Sequence, residues 1–104
     1  MKKLGQNEVE KVYEGTTVVD FYADWCGPCK YMKPFFEDAE KDINALGATC
    51  YEINVDECEE FSVKNKISFI PCVIIFKDGV EQDRFTGGRD TQGIMDFVKK
   101  NIGK

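Results

Sequence analysis

Asp20-Phe21-Tyr22-Ala23-Asp24-Trp25-Cys26-Gly27-Pro28-Cys29-Lys30 is the stretch on which the reading of this chain turns. It joins two different periodicities. Upstream, Thr16 to Ala23 is nearly continuous in apolar and β-branched residues, as a strand buried on both faces would be. Downstream of Pro28, apolar residues recur at helical spacing: Cys29, Met32, Phe35, Phe36, Ala39, Ile43 and Leu46, with Gly47 as the stop. Pro28 suits the first turn, where its missing N–H is no loss, and Pro34 inside the pattern is expected to kink the helix. Two cysteines at i and i+3 therefore open a helix that follows directly on a buried strand. They lie on one side of the first turn, close enough for a disulfide. The first meets the unsatisfied N–H groups and the positive end of the helix dipole, and both favour the nucleophilic thiolate over the thiol.

The flanking segments supply the rest of a layered fold. Asn7 with Glu10 has the spacing of a capping box, and Val9, Val12 and Tyr13 fall on one helical stripe. A second strand is expected over Thr49–Val55, with Tyr51, Ile53 and Val55 on one face. Asp56 is expected to cap a short helix reaching Lys64. After Ile70-Pro71 come another apolar run, Cys72–Phe76, a hairpin turn at Asp78-Gly79, and a more polar edge strand, Val80–Thr86. Gly87-Gly88 breaks that strand. Asp90 opens a last helix with Ile94, Phe97, Val98 and Ile102 inward. The order predicts an α/β fold with a parallel portion and one antiparallel hairpin.

Composition narrows the chemistry. The chain of 104 residues fits one domain, 1–104, and its 42% apolar content with eight Phe predicts a globular core. A net charge of −5 with no basic cluster longer than Lys99-Lys100 argues against nucleic acid as a partner. The longest apolar stretch, Val73–Phe76, is too short to cross a membrane, and the N-terminus lacks the apolar core of an export signal. A cytosolic protein is expected. Five cysteines are an odd count for a disulfide framework, and in a reducing compartment a close pair reads as catalytic or metal-binding. Zinc needs four ligands. The chain has no His, and Cys50, Cys58 and Cys72 form no second close pair. A plain structural disulfide remains a competing reading of Cys26 and Cys29.

Other residues stand out for their setting. Asp20 is a carboxylate in a buried strand, where desolvation raises the pKa toward neutral and suits proton exchange; a place at a strand edge facing solvent is the alternative. For Trp25, core packing is a serious rival to a role as a contact residue. Cys50, Cys58 and Cys72 read as small buried hydrophobes, with Cys58 the one most open to solvent and oxidation.

Trp25-Cys26-Gly27-Pro28-Cys29-Lys30 resembles the active-site segment of the thioredoxin family. The resemblance covers almost the whole chain: Asp20-Phe21-Tyr22-Ala23 is similar to the family's first long strand, Pro34 to its helix kink, Asn54-Val55-Asp56 to the next strand end, Ile70-Pro71 to the cis-proline loop, and Gly87 to a late glycine. It implies the thioredoxin fold, a central mixed β-sheet of four to five strands with helices on both faces. Three departures accompany it. The family's first strand is trimmed to Lys2-Lys3-Leu4 or lost, Glu52 stands where bacterial members commonly carry Lys, and Cys72 replaces the Thr that follows the cis-proline.

The resemblance also implies roles. Cys26 is the attacking thiolate and Cys29 the resolving thiol, with Asp20 helping to deprotonate Cys29. Trp25, Gly27, Pro28, Ile70, Pro71 and Gly87 form the substrate-docking surface, where Pro71 is a cis proline and the Ile70 backbone pairs with an extended substrate segment. No cofactor or metal is bound, and the redox element is the Cys26–Cys29 disulfide. NADPH acts only through a partner thioredoxin reductase, since the chain lacks a dinucleotide fingerprint. The expected partners are that reductase and disulfide-containing proteins, and a monomer is expected. Two further readings stand beside the protein-disulfide reductase: a binding or regulatory subunit of the same fold, and a disulfide isomerase or oxidase. Isomerases and oxidases typically carry His where Pro28 stands.

Overall fold

The computed structural model describes residues 1–102; the expected domain end at residue 104 lies outside them. In chain order the elements are Lys2–Lys3 (β1), a 3₁₀ helix at Val9–Tyr13, Thr16–Tyr22 (β2), Gly27–Ala45 (α1), Ala48–Asn54 (β3), Glu59–Lys64 (α2), Cys72–Lys77 (β4), Val80–Thr86 (β5) and Thr91–Ile102 (α3).

The apolar run expected of a central strand is central. The sheet order is β1-β3-β2-β4-β5, with β1 and β2 parallel to β3, β4 antiparallel to β2, and β5 antiparallel to β4. Successive side chains of a strand point to opposite faces. Val18, Val73 and Ile75 therefore pack on one face against Met32, Phe36 and Ile43 of α1 and Ile94, Phe97 and Val98 of α3. Val19, Phe21, Ile53, Ile74 and Phe76 pack on the other face against Val12 and Phe61. Each such side chain, fully buried, contributes roughly 1.5–3 kcal/mol. Asp20, two residues from Val18, shares the face that carries α1.

Two devices fix the hairpin. Asp78 (φ 49°) and Gly79 (φ 85°) are both left-handed, as the two-residue turn between Lys77 and Val80 demands. The register slips between Ile75 and Phe76, which face Asp83 and Glu81 and leave Gln82 as the extra residue of a bulge. At α3, Asp90 behaves as the sequence suggests: its Oδ1 accepts the Gly93 N–H at 2.9 Å. α1 continues through Pro34 as one element, and the proline has no N–H to reach back to Lys30.

Three expectations need correction. Asn7 and Glu10 form no capping box. The helix there is a five-residue 3₁₀ helix preceded by Glu8, whose carboxylate reaches back to accept the Gly5 N–H at 3.2 Å. Asp56 does not cap α2. The side chain of Asn54 accepts the N–H groups of Asp56 (2.9 Å) and Glu57 (3.3 Å), which turns the chain before the helix starts behind Cys58. Cys58 is not the open thiol. It is 2% exposed, with its sulfur 3.7 Å from the Leu4 carbonyl oxygen. Leu4 itself is fully buried and donates its N–H to Glu52 at 3.0 Å, so the trimmed first strand is present and anchored.

Candidate active site

The two cysteines stand where the buried strand β2 hands over to α1. Cys26 donates its N–H to the Ala23 carbonyl at 3.2 Å, which closes the turn after the strand. Its backbone is extended (φ −87°, ψ 112°), the conformation of a residue that caps a helix, and its Sγ accepts the Cys29 N–H at 3.2 Å. Its carbonyl receives the Lys30 N–H at 3.2 Å, the first bond of the helix ladder. The sulfur of Cys26 thus occupies the place of a capping oxygen, against the unpaired N–H groups of the first turn, where negative charge is favoured. Cys26 and Cys29 are joined in a disulfide with Cα atoms 5.3 Å apart. Both are nearly buried, among Ala23 and the partly buried Tyr22, Val55 and Ile70.

The loop before β4 closes over this pair. The Ile70–Pro71 peptide is cis, and the Ile70 carbonyl oxygen lies 3.7 Å from Cys26 Sγ. Gly87, at φ 85°, donates its N–H to the Pro71 carbonyl at 2.9 Å and so ties the end of β5 to the same loop. Trp25 is 70% exposed, which excludes core packing. Its indole Nε1–H donates to Asp56 Oδ2 at 2.8 Å. Gly27 and Pro28 are also exposed. Ile70 thus meets the disulfide, Pro71 follows it in the chain and is buried, and Gly87 reaches the site through Pro71.

Asp20 lies behind it. The carboxyl is 3% exposed, its Oδ1 has no hydrogen-bond partner among the described residues, and it lines a cavity of about 360 Å³ with Cys29, Lys30, Lys33 and Glu52. Burial, then the carboxylate of Glu52, pushes its pKa up to about 7, opposed by Lys33. The alternative of a solvent-facing strand edge is excluded. Among the described residues no group of three His, Cys, Asp or Glu side chains is placed to hold a metal ion. The other thiols are buried and unpaired; burial raises all three, and with the help of Glu40 takes Cys50 to about 12.

Four residues around the site escaped the sequence reading. Asp56 holds Trp25 instead of capping α2. Glu52 faces Asp20 because β2 and β3 pair with the two residues opposite each other, and Lys33 because α1 lies over that face of the sheet; no local pattern displays either. Phe69, 73% exposed beside Ile70, carried only the weak signal of an aromatic residue in a loop.

Residues 3–100 match the family model described as Thioredoxin. The chain belongs to the thioredoxin family. It is 44% identical to the mitochondrial Thioredoxin-2 of Schizosaccharomyces pombe over 84 residues, which cover 81% of this chain and 61% of that protein. With the thioredoxin of Staphylococcus saprophyticus it shares 30% identity, over 98% of this chain and 97% of the other. Among solved structures it is similar to Plasmodium falciparum thioredoxin, with a TM-score of 0.87 at 28% identity over 96% of this chain and 98% of that one. Fasciola hepatica thioredoxin superimposes with a TM-score of 0.85 at 30% identity, over 97% and 99% of the two chains. The mixed sheet with helices on both faces is the thioredoxin fold. Membership makes the chain a thioredoxin-type oxidoreductase whose redox-active element is its own Cys26–Cys29 disulfide. No helix among the described residues is long and apolar enough to cross a membrane.

Proposed function

We propose that this chain is a general protein-disulfide reductase of the cytosol, acting as a monomeric single domain and recharged by an NADPH-dependent thioredoxin reductase. The observation that carries the reading is the position of Cys26 Sγ, which caps α1 and accepts the Cys29 N–H at 3.2 Å. In the reduced protein that donor and the helix N-terminus stabilise a thiolate on Cys26. The thiolate attacks one sulfur of a substrate disulfide. A Cys26–substrate disulfide forms, and the other substrate sulfur leaves as a thiolate and takes up a proton. Cys29, one turn along and equally buried, then attacks Cys26 Sγ. The substrate leaves as a dithiol, reduced by two electrons, and the Cys26–Cys29 disulfide remains.

For that second step Cys29 must lose its proton. Asp20 shares the cavity with Cys29 and holds a pKa near neutrality, so it accepts the proton at physiological pH. Ile70 offers its backbone to an extended substrate segment, and Trp25, Gly27, Pro28, Pro71 and Gly87 frame the contact.

NADPH-coupled insulin reduction with a thioredoxin reductase tests the proposal. Activity is expected for the native chain and is expected to vanish in Cys26→Ser, whereas Cys29→Ser accumulates the mixed disulfide. Turnover that survives in Cys26→Ser refutes the assignment.

A further inference from the structure

The segment that meets substrate in the reading above is held at its two ends only. Between Ile67, whose N–H donates to Ser62, and Pro71, whose carbonyl receives the Gly87 N–H, neither Ser68 nor Phe69 has a backbone hydrogen bond among the described residues. The Ile70 carbonyl oxygen lies 3.7 Å from the Cys26 sulfur, which in the disulfide has no hydrogen to donate. At its upstream end the segment leaves α2 through Lys66, a non-glycine residue at φ 57°. Such a conformation persists only where neighbouring groups hold it.

The neighbouring group is Arg84 on β5. Its Nη2 donates to the Asn65 carbonyl at 3.0 Å and its Nη1 to the Lys66 carbonyl at 3.4 Å. The same guanidinium is gripped by Glu81, with Nε 2.7 Å from Oε2 and Nη2 2.6 Å from Oε1. A planar fork can serve a carboxylate and two carbonyls at once, which the single ammonium of a lysine cannot. The guanidinium charge is also felt by the Cys72 thiol, next to Pro71 at the other end of the segment.

We infer that Arg84 is a positioning residue for substrate capture, fastening the exit of α2 to the sheet edge so that Phe69 and Ile70 are presented in order beside Cys26. The inference rests on the reductase reading. A receiving backbone that is ordered beforehand loses less freedom when substrate pairs with it, so Arg84 acts on capture. The cysteines are set by α1 and Ala23 and do not depend on it.

Single-turnover stopped flow, with pre-reduced protein and insulin in excess, separates capture from chemistry. For Arg84→Ala the insulin concentration giving half-maximal rate is expected to rise about fivefold or more, with the limiting rate within about twofold. The rate with a small aromatic disulfide, which has no chain to lay along Ile70, is expected to be unchanged. Amide exchange at Asn65, Lys66 and Ile67 is expected to accelerate, while that of α1 does not. Arg84→Lys keeps the aliphatic stem and is expected to move every reading in the same direction by less; it decides the matter if the alanine variant fails to fold. An unchanged half-saturation concentration, or equal slowing with both disulfides, overturns the inference. Failure of the native chain to reduce insulin sinks the reductase reading instead, and leaves the amide-exchange result to report on Arg84 alone.

Discussion

The indole of Trp25 is bonded to Asp56 across the mouth of the site, Nε1 to Oδ2 at 2.8 Å, although the two residues are 31 apart in the chain. The bond spans from the turn after β2 to the turn after β3, so it holds a 70% exposed ring in one attitude. Removing the acceptor frees the ring without disturbing the core. Asp56→Ala is expected to lower the fluorescence anisotropy of Trp25, the only tryptophan. Because the bond is exposed, stability should fall by less than about 1 kcal/mol. Unchanged anisotropy would show that the ring is held by something other than Asp56.

Asp20 makes stability depend on pH in the direction opposite to that of a salt-bridged carboxylate. Its native pKa is about 7 against an ordinary 3.8, so between these values the folded state keeps a proton that the unfolded state has released. Stability therefore falls as pH rises through this window. Below it the group has no effect, and above it the loss is complete, on the order of 4 kcal/mol. Asp20→Asn removes the titration. Urea unfolding is expected to show the variant gaining on the native protein from pH 4 to pH 8, and a constant difference across that range would contradict the assignment. In stopped flow the same variant should release the mixed disulfide more slowly while forming it at nearly the native rate. Equal slowing of both steps would count against proton transfer through Asp20.

The burial of Cys50, Cys58 and Cys72 leads to a labelling pattern. In the reduced native protein at pH 8, iodoacetamide should modify Cys26 first and leave those three intact until denaturant is added, since a buried thiol with a raised pKa is neither ionised nor reachable. Mass spectrometry of the digested protein reads this directly. Early modification of Cys58 would mean that the contact with Leu4 opens readily.

At Gly87 the constraint is conformational rather than steric. Its φ is 85°, yet a Cβ built there meets nothing within 4 Å. Gly87→Ala should cost about 1–2 kcal/mol through backbone strain alone. For a domain of this size that corresponds to a Tm lower by roughly 4–16 °C. A Tm equal to that of the native chain would mean that the turn relaxes to another conformation.

Much of this was legible in the chain because it is local. The change of period at Pro28 places β2 and α1, Asp78-Gly79 dictates its turn, and Asp90 caps α3 as its position suggests. What failed is non-local or depends on competition between neighbours. Asn54 outcompetes Asp56 for the N–H groups beyond β3, and Asp56 then turns toward an indole in the turn after β2. Cys58 looks exposed among Glu57, Glu59 and Glu60, but its side chain points the other way, under Leu4. The environment of Asp20 is a matter of strand register, which places Glu52 beside it, and of the helix above, which supplies Lys33.

The bulged strand β5 also governs how the protein behaves in concentrated solution. It forms one rim of the sheet, and such rims invite a second molecule to add on. Glu81, Asp83 and Arg84 together with the register slip discourage this at neutral pH. Acidification toward the isoelectric point, near 4.7, removes most of the net charge that keeps molecules apart. Purification and storage well above that pH keep the rim guarded.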